Sequence, residues 1–470
     1  MSSLFGMLSI ATGALEAEQG ALNTTTNNVA NVNTAGYSRQ ELILVTNDPL
    51  VVGTVTYGTG VSLEKLQSVR DPILQMRISE ETQQQSQWNA YTTAMQQAQV
   101  QFTTSTNDIG TEISNFFASL NQLSTDPTNL ALRQGVLTAA DNLATAFHNT
   151  ASNLDSQRSS LDLQVSQDVE QVNVLTSQIA NLNTQISQLQ GVGQNAGSLE
   201  DQRDVLLRQL SSLVDVSTIQ SDNGLTLTTS NGTALVVGGQ SFALSTQTNA
   251  SGFQDVFSSE GTDITSNLSS GNLAGALQVR DQVLPGLLSN LDTLAAGLAN
   301  SLNAANQGGY DANGNPYGGF DLNGNPGGSL FVAPPASGQG AALSMAVAIT
   351  DPSLIAASSD PNSPASNGNL AALSNVQNQS IANGQTPTSY YANLVFTVGN
   401  DVNNGNAEQQ SAQAILQQLQ DQLGAISGVS LNEEAANMVQ YQQAYDAAAQ
   451  VVTIINDMLH TVINMDNLTV

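Results

Sequence analysis

The stretch LNEEAANMVQYQQAYDAAAQVVTIINDMLHTVINM occupies residues 431–465 and decides the fold. Apolar or aromatic residues recur in it at alternating spacings of three and four, and neither glycine nor proline interrupts them. That spacing predicts one helix of about 30 residues, roughly 45 Å long, with a heptad stripe along one side. The stripe consists of Met438, Tyr441, Tyr445, Ala448, Val452, Ile455, Leu459 and Val462.

The expected partner of this helix is the amino-terminal segment, which repeats the same spacing. Its stripe consists of Phe5, Leu8, Thr12, Leu15, Gln19, Leu22, Thr26 and Val29. Isolated helices are marginal in water, so we expect the two stripes to pair with each other or to be completed by neighbouring subunits. On spacing alone, two ordinary amphipathic helices in a globular core fit equally well.

Composition excludes several classes of protein. The 470 residues carry a net charge of −29, with nine basic residues against 38 acidic ones, which argues against nucleic acid or an anionic membrane surface as partner. No cysteine is present, so disulfides and thiolate metal sites are excluded. No apolar run approaches the ~18 residues of a membrane span. The first cation is Arg39, so we expect no cleaved signal peptide.

Pattern and turn residues predict a mainly α fold with a small β insertion. We expect a terminal helical domain from residues 1–60 and 428–470, a long helical bundle from 61–215 and 262–427, and a small inserted β domain at 216–261. The predicted helices cover 71–106, 109–123, 126–190, 198–214, 271–306 with a break near Pro285, 370–381 and 389–423. The predicted strands outside the insertion cover 41–46, 51–57 and 344–350, with Asn47-Asp48-Pro49 as a turn between the first two.

The sequence offers no active site. His148 and His460 are the only imidazoles, and neither lies in a catalytic motif. The pairs Glu80-Glu81 and Glu433-Glu434 are adjacent on predicted helices and point about 100° apart, which does not build an acid–base dyad. We therefore predict a protein that is not an enzyme and holds no cofactor.

One internal repeat stands in the second half of the chain. Residues 311–316 read DANGNP and residues 321–326 read DLNGNP. A calcium loop of the EF-hand type would need an acidic ligand at its twelfth position, where Leu322 and Val332 stand instead. Tandem turns are therefore favoured, with a calcium site as the alternative.

Five segments carry a resemblance to a known family. ANVNTAGYSRQ at 30–40 and SGVSLNEEAANMVQYQQAYDAAAQVV at 427–452 resemble the amino- and carboxy-terminal signatures of the flagellar rod, hook and hook-associated axial proteins. DPTNLALRQGVL at 126–137, LEDQRDVLLRQL at 199–210 and GGFDLNGNPGGSLF at 318–331 resemble those members that lie between hook and filament. The five segments follow one another in the family's order and span most of the chain.

The resemblance implies a structural adaptor ring between flagellar hook and filament. It implies as partners further copies of this chain, the hook protein, a second hook–filament junction protein, an export chaperone and the flagellar type III export apparatus. It also implies an extracellular location and subunits that are exported unfolded. The interface would include the turn residues Asn31, Asn33, Gly36 and Tyr37 together with both stripes. An outer domain of the family would precede the 344–350 segment, where only residues 332–342 stand.

Two alternatives remain open at this point. Another axial component, of hook or rod type, would share both terminal signatures, although the DQRD segment at 201–204 and the long bundle helices argue against it. A secreted calcium-dependent adhesin or a cell-wall hydrolase is the second alternative, and a calcium-dependent melting temperature or glycan hydrolysis would favour it.

Overall fold

The computed structural model describes residues 2–52, 54–103, 108–221 and 224–466. Helices dominate it, as the sequence predicts, because long polar stretches with apolar stripes favour the helical period. The helices are α1 Ser2–Ala30, α2 Pro72–Thr103, α3 Ile109–Leu123, α4 Leu130–Gly191, α5 Gly197–Leu213, α6 Gly271–Gln278, α7 Leu284–Asn306, α8 Ala341–Ser344, α9 Gly368–Asn375, α10 Pro387–Ser427 and α11 Leu431–Asp466. The predicted end of the second helix near residue 106 lies outside the described residues.

The strands form small antiparallel sheets, which confirms the mainly α fold class with little β structure. They are β1 Gln40–Thr46, β2 Leu50–Val52, β3 Val55–Tyr57, β4 Val61–Ser68, β5 Ser217–Ser221, β6 Gly224–Thr228, β7 Ala234–Val237, β8 Gln240–Ser241, β9 Ser245–Thr248, β10 Gln254–Phe257, β11 Gly308–Tyr310 and β12 Pro316–Gly318. Strands β5 to β8 make one four-stranded sheet in sequence order, and β9 pairs with β10 beside it. Six of the twelve strands thus lie between α5 and α6.

Side-chain caps fix where several helices begin. The Asp108 carboxylate accepts a hydrogen bond from the Thr111 backbone N–H at the start of α3. The Asn129 side chain accepts from the backbone N–H groups of Ala131 and Leu132 at the start of α4. These caps satisfy N–H groups that have no partner within the helix, so both helices begin where the sequence supplies an Asp or Asn.

The terminal helices α1 and α11 pack along each other, as the sequence predicts. On α1, however, the predicted stripe is wrong by one residue, or about 100° of rotation. The buried residues of α1 are Ala11, Ala17, Ala21, Thr25 and Asn28. The predicted positions Phe5, Leu8, Thr12, Leu15, Gln19, Leu22, Thr26 and Val29 are exposed or half-buried. This buried face lies against strands β1 and β4 as well as α11, since a Cβ atom at Gly20 would meet the side chains of Leu42 and Leu63.

The hairpin predicted after α1 is also wrong in its pairing. β1 pairs antiparallel with β4, with Gln40 opposite Ser68 and Thr46 opposite Val61. The segment between them folds back on itself as the separate pair β2–β3. The turn at Asn47-Asp48-Pro49 therefore leads from one sheet into another rather than closing a hairpin. The pairing with β4 adds a strand at 61–68 that the sequence reading missed.

One large apolar core runs through the helical region, and a small separate cluster of Leu74, Ile78 and Leu419 joins the start of α2 to α10. Buried aromatic side chains from α3, α4 and the segment after β12 meet in it, with Phe116 and Phe331 edge to face at 6.0 Å between ring centroids. The core is continuous from α2 through α10 and reaches the β5–β8 sheet through Leu227 and Val236. The predicted break near Pro285 takes the form of a π-helical turn at Val279–Val283, between α6 and α7.

Three smaller predictions differ from the structure. The segment predicted as a strand at 344–350 makes only an isolated bridge between Val347 and Phe331. The helix predicted at 370–381 ends at Asn375 and continues as a 3-10 turn. Helix α10 was predicted to end before Gly424 but continues through it to Ser427. A glycine inside a helix lowers the stability of the helix without necessarily ending it.

Replacing Gly275 by valine should lower the free energy of unfolding by about 1–3 kcal/mol. A Cβ atom at this position of α6 would lie 2.3 Å from the Gln87 backbone oxygen on α2, and a backbone carbonyl cannot rotate away. Urea unfolding followed by circular dichroism measures the change. The matched control is Gly135→Val on α4, where a Cβ meets nothing within 4 Å. Equal losses in both variants would mean that helix propensity, not the close approach, sets the effect.

Candidate assembly interface

An apolar groove runs along the outside of the terminal helix pair. It has a volume of about 470 Å³ and lies between the first half of α1 and the second half of α11. Its lining residues are Met7, Ile10, Ala11, Ala14, Ala448, Val451, Ile454, Ile455 and Met458. Ile454 is 52% exposed and Met458 47%, so the large apolar side chains on its walls lie open to solvent. Exposed apolar patches of this kind mark surfaces that another protein covers.

The predicted α11 stripe lies against α1, under the groove. Ile455 is buried, and Met438, Tyr441, Tyr445, Val452 and Leu459 are half-buried. Val462 is the exception, with 38% of its surface exposed. The stripe therefore holds the two terminal helices together, while the neighbouring positions Val451, Ile454 and Met458 point outward. Its role in contacts between subunits stays a prediction.

The predicted turn residues lie at the base of the terminal pair. Asn31 donates from Nδ2 to the Asn27 backbone oxygen at 3.0 Å and accepts from the Thr34 hydroxyl at 3.1 Å. Gly36 has φ +81°, a left-handed conformation that a side chain would strain. Asn33 is exposed, and the structure brings no partner group to its side chain among the hydrogen bonds of the described residues. These residues shape the turn that carries the chain from α1 into β1.

A buried polar network joins the two termini just above this turn. Asn28 Nδ2 donates to the Gln40 backbone oxygen at 2.9 Å and to Glu434 Oε1 at 3.1 Å. Asn28 Oδ1 accepts from the Tyr37 hydroxyl at 2.8 Å and from the Gln40 backbone N–H at 2.9 Å. All four hydrogen-bonding positions of this amide are thus used. A buried polar residue so engaged fixes the register of one helix against the other.

The same network surrounds the phenol of Tyr37. Burial, followed by the negative charges of Asp201 and Glu434, raises the pKa of Tyr37 to about 12. The phenol therefore stays protonated at neutral pH and donates its hydrogen to Asn28. Tyr37 therefore acts as a hydrogen-bond donor in this network.

Sequence reasoning missed the two central members of this network. Asn28 and Glu434 are each only 2% exposed, yet neither was among the predicted site residues. Asn28 continues the buried α1 positions in steps of three and four from Ala21 and Thr25, so a stripe drawn by size rather than by hydrophobicity would have included it. Glu434 lies four residues before Met438 on the α11 stripe. The signal that the sequence offered for both residues was a polar side chain at a position of the buried stripe.

The other candidate groups sit in structural positions. His148 Nδ1 lies 2.7 Å from the Leu343 backbone oxygen, and His460 is exposed on α11. In both Asp-Asn-Gly repeats the aspartate accepts two backbone N–H groups at 2.8 Å, from residues 313 and 315 for Asp311 and from 323 and 325 for Asp321. Such side-chain turns are the tandem turns that the sequence favours. Within the described ranges, no cluster of three or more His, Cys, Asp or Glu could hold a metal ion.

The length and the apolar character of a helix decide whether it could span a membrane. In the parts of the chain that the structure describes, no helix combines the length and the apolar character needed to cross a membrane.

Comparison with protein families gives three matches that follow one another along the chain. The helical domain of flagellar hook-associated protein FlgK matches residues 95–331, about half of the chain. The flagella basal body rod protein family matches residues 8–37, and the C-terminal family of the flagellar basal body rod proteins FlgEFG matches residues 424–465. The two rod-type matches thus cover α1 and α11, the helices that form the groove.

Individual proteins resemble this chain over its whole length. Flagellar hook-associated protein 1 of Bacillus subtilis is 30% identical over 511 aligned positions, which cover 99% of each chain. The protein of that name in Escherichia coli is 28% identical over 549 positions, covering 99% of this chain and 100% of the relative. The flagellar hook junction protein FlgK from Burkholderia pseudomallei has a similar solved fold, with a TM-score of 0.65 and 19% identity over 75% of this chain and 100% of that one.

Proposed function

This chain belongs to the flagellar hook-associated protein 1 family, and from that membership we propose that copies of it form the ring between flagellar hook and filament. It is a structural component of the bacterial flagellum, which confirms the resemblance found in the sequence. The observation that carries the ring proposal is the open apolar groove along α1 and α11. A subunit that ends in such a groove has a surface suited to a neighbouring copy.

The groove explains how identical subunits would associate. Two helices bury too little surface to be stable alone, and further helices laid against the groove would cover Ile10, Val451 and Ile454. Contacts between different faces of identical subunits repeat around an axis and build rings or tubes. The proposed subunit contacts are therefore the groove walls, the two terminal stripes and the turn at residues 31–37.

The remaining partners follow from the same family membership. Association with other flagellar components accords with the family. The hook protein, a second junction protein, an export chaperone and the type III export apparatus are the partners we propose. The chain would pass through the export channel unfolded and act outside the cell. The absence of cysteine suits such passage, since no disulfide needs to form or break on the way.

We also propose that the protein has no enzymatic activity. Its family is one of structural flagellar proteins. Its two histidines lie on different helices, His148 on α4 against the Leu343 backbone oxygen and His460 exposed on α11. Asp201 is paired with an arginine, and Glu434 and Asp168 accept hydrogen bonds from asparagine side chains, which are structural contacts.

Replacing Ile454 by aspartate should abolish motility in a strain that depends on this protein. Ile454 lies on the groove wall, and assembly would bury the new carboxylate without a cation, at a cost of several kcal/mol per contact. The swim-ring diameter in soft agar should fall to that of a strain lacking the gene, while the purified subunit keeps its helical circular dichroism spectrum.

The matched control is Leu163→Asp, the same change at a 66% exposed position of α4 that lies outside the groove. This variant should swim normally. Normal swimming of the Ile454→Asp strain, with the variant protein present at the hook tip, would exclude the groove as a subunit contact. Equal loss in both variants would point to secretion or folding instead.

A further inference from the structure

Three carboxylates of α5 converge on one arginine at the start of α2. Arg70 Nη1 lies 2.9 Å from Asp204 Oδ2 and 3.6 Å from Glu200 Oε2, and Nη2 pairs with Asp201 Oδ1. Nη2 also donates to the Gly197 backbone oxygen at 2.9 Å. The side chains of Arg70 and Asp201 are only 15% and 9% exposed, so solvent screens the contact weakly. Asp201 and Asp204 are the two acidic residues of the DQRD segment.

This ion-pair cluster sits where the chain passes between the terminal pair and the helical region. Three segments of the chain, which we call the passages, meet there: residues 37–40 between α1 and β1, 66–71 between β4 and α2, and 427–430 between α10 and α11. The second and third cross between the terminal pair and the helical region, and the first lies beside them. Asp201 Oδ2 accepts the Ser38 backbone N–H at 3.1 Å, so one carboxylate holds the first passage while its other oxygen holds Arg70 in the second.

Backbone hydrogen bonds tie the three passages to one another. The Arg39 N–H donates to the Ser427 oxygen at 2.8 Å, and the Val69 N–H donates to the Arg39 oxygen at 2.8 Å. Asn195, just before α5, donates from its side chain to the Leu66 oxygen at 2.8 Å. All three passages are thus connected, within two hydrogen bonds, to the amino-terminal end of α5.

Helix α5 is itself fixed to the long helix of the bundle. Arg203 is 8% exposed and donates from Nη1 to Asn183 Oδ1 on α4 at 3.1 Å. Arg203 stands between Asp201 and Asp204 in sequence and lines one surface pocket together with Arg70, Glu200 and Asp204. The DQRD segment therefore contacts the passages through its aspartates and α4 through its arginine.

We infer that Arg70 and the α5 carboxylates form a clasp that binds the base of the terminal helix pair to the helical region as one mechanical unit. The clasp acts on all three passages together, because Asp201 holds the first, Arg70 belongs to the second, and the third is bonded to the first. This inference concerns the isolated chain and does not rest on the proposed ring.

Amide hydrogen exchange on the full chain tests the clasp, with Arg70→Met as the central variant. Exchange should accelerate about tenfold or more in all three segments, 37–40, 66–71 and 427–430, while peptides from α3 and α4 keep the exchange rates of the natural chain. Arg77→Met is the matched control, since Arg77 is exposed on the first turns of α2, seven residues after Arg70, and removing it changes the net charge equally. This control should leave all three segments unchanged.

A second variant separates the clasp from general stabilisation. Asp201→Asn keeps an oxygen that can accept the Ser38 N–H but loses the charge that holds Arg70. It should accelerate exchange in the same three segments, and the double variant should do so no more than either single one, because both remove the same contact. Acceleration confined to 66–71, unchanged exchange in Arg70→Met, or equal acceleration in α3 and α4 would each overturn the clasp.

Discussion

Replacing Arg280 by methionine should lower the free energy of unfolding by about 3–5 kcal/mol. The arginine side chain is fully buried in the π-helical turn and pairs through Nη1 with Asp162 at 2.7 Å. Its Nε and Nη2 donate to Asp281 at 2.7 and 2.8 Å, and Nη1 also donates to the Gln254 backbone oxygen at 2.7 Å. Methionine fills a similar volume but leaves three carboxylates, those of Asp162, Asp255 and Asp281, without their cation. The loss of stability comes from these unpaired charges, because removing one partner of a buried ion pair leaves the other charge buried without compensation.

Urea unfolding of the purified chain measures this loss as a shift of the midpoint. Arg158→Met is the matched control, because Arg158 and Arg280 both lie over the Phe253 ring, at 4.3 and 5.7 Å from its centroid, but Arg158 pairs only with the largely exposed Asp155 at 3.5 Å. We expect about 1 kcal/mol or less for that variant. Equal losses would show that stacking on Phe253, and not the buried charge pairing, holds the β9–β10 pair to the helices.

Replacing Asp168 by asparagine should stabilise the protein by about 3 kcal/mol above pH 6 and leave its stability unchanged near pH 3. Asp168 is a buried acidic residue on the mostly apolar buried face of α4. Burial raises the pKa of its carboxyl to about 6, although a hydrogen bond from Asn272 at 2.7 Å partly favours the charged form. Since the folded state holds this proton up to about pH 6 and the unfolded chain releases it near pH 3.8, stability falls between these values and is constant above them.

Unfolding midpoints between pH 3 and pH 8 measure the effect. The natural chain should lose stability across the window between the two pKa values, and the Asp168→Asn variant should lose less by the amount that this carboxyl contributes. Asp141→Asn is the control, because Asp141 is exposed on the same helix and carries the same charge. A pH profile of the Asp168→Asn variant that runs parallel to that of the natural chain would contradict the assignment.

The sequence predicted the terminal pairing better than it predicted the contact itself. On α11 the apolar stripe through Tyr441 and Ile455 is the face that packs, because apolar or aromatic residues occur there at every heptad position. On α1 the leucines at 15 and 22 attracted the prediction, while the helix packs through Ala17 and Ala21. Hydrophobicity ranks leucine above alanine, but the distance between two helix axes is set by the smaller side chains.

Long-range polar contacts could not be predicted from periodicity at all. Arg280 meets Asp162 across 118 residues of sequence, and Asn28 meets Glu434 across 406. Each such contact depends on the folded positions of both elements, and any acidic residue of the chain was an equal candidate beforehand. The pairing of β1 with β4 was not predicted for a related reason. The strand nearest to β1 in sequence was the expected partner, and that strand instead belongs to the hairpin β2–β3.

The buried guanidinium groups also determine what a neighbouring molecule meets. Five of the nine cations, Arg70, Arg133, Arg158, Arg203 and Arg280, are directed into contacts within their own chain. The charges left on the surface of the subunit are therefore mostly carboxylates, and like charges repel over about 10 Å in 0.1 M salt. The proposed contact between copies along the groove would meet little of this repulsion, because none of the residues that line the groove carries a charge.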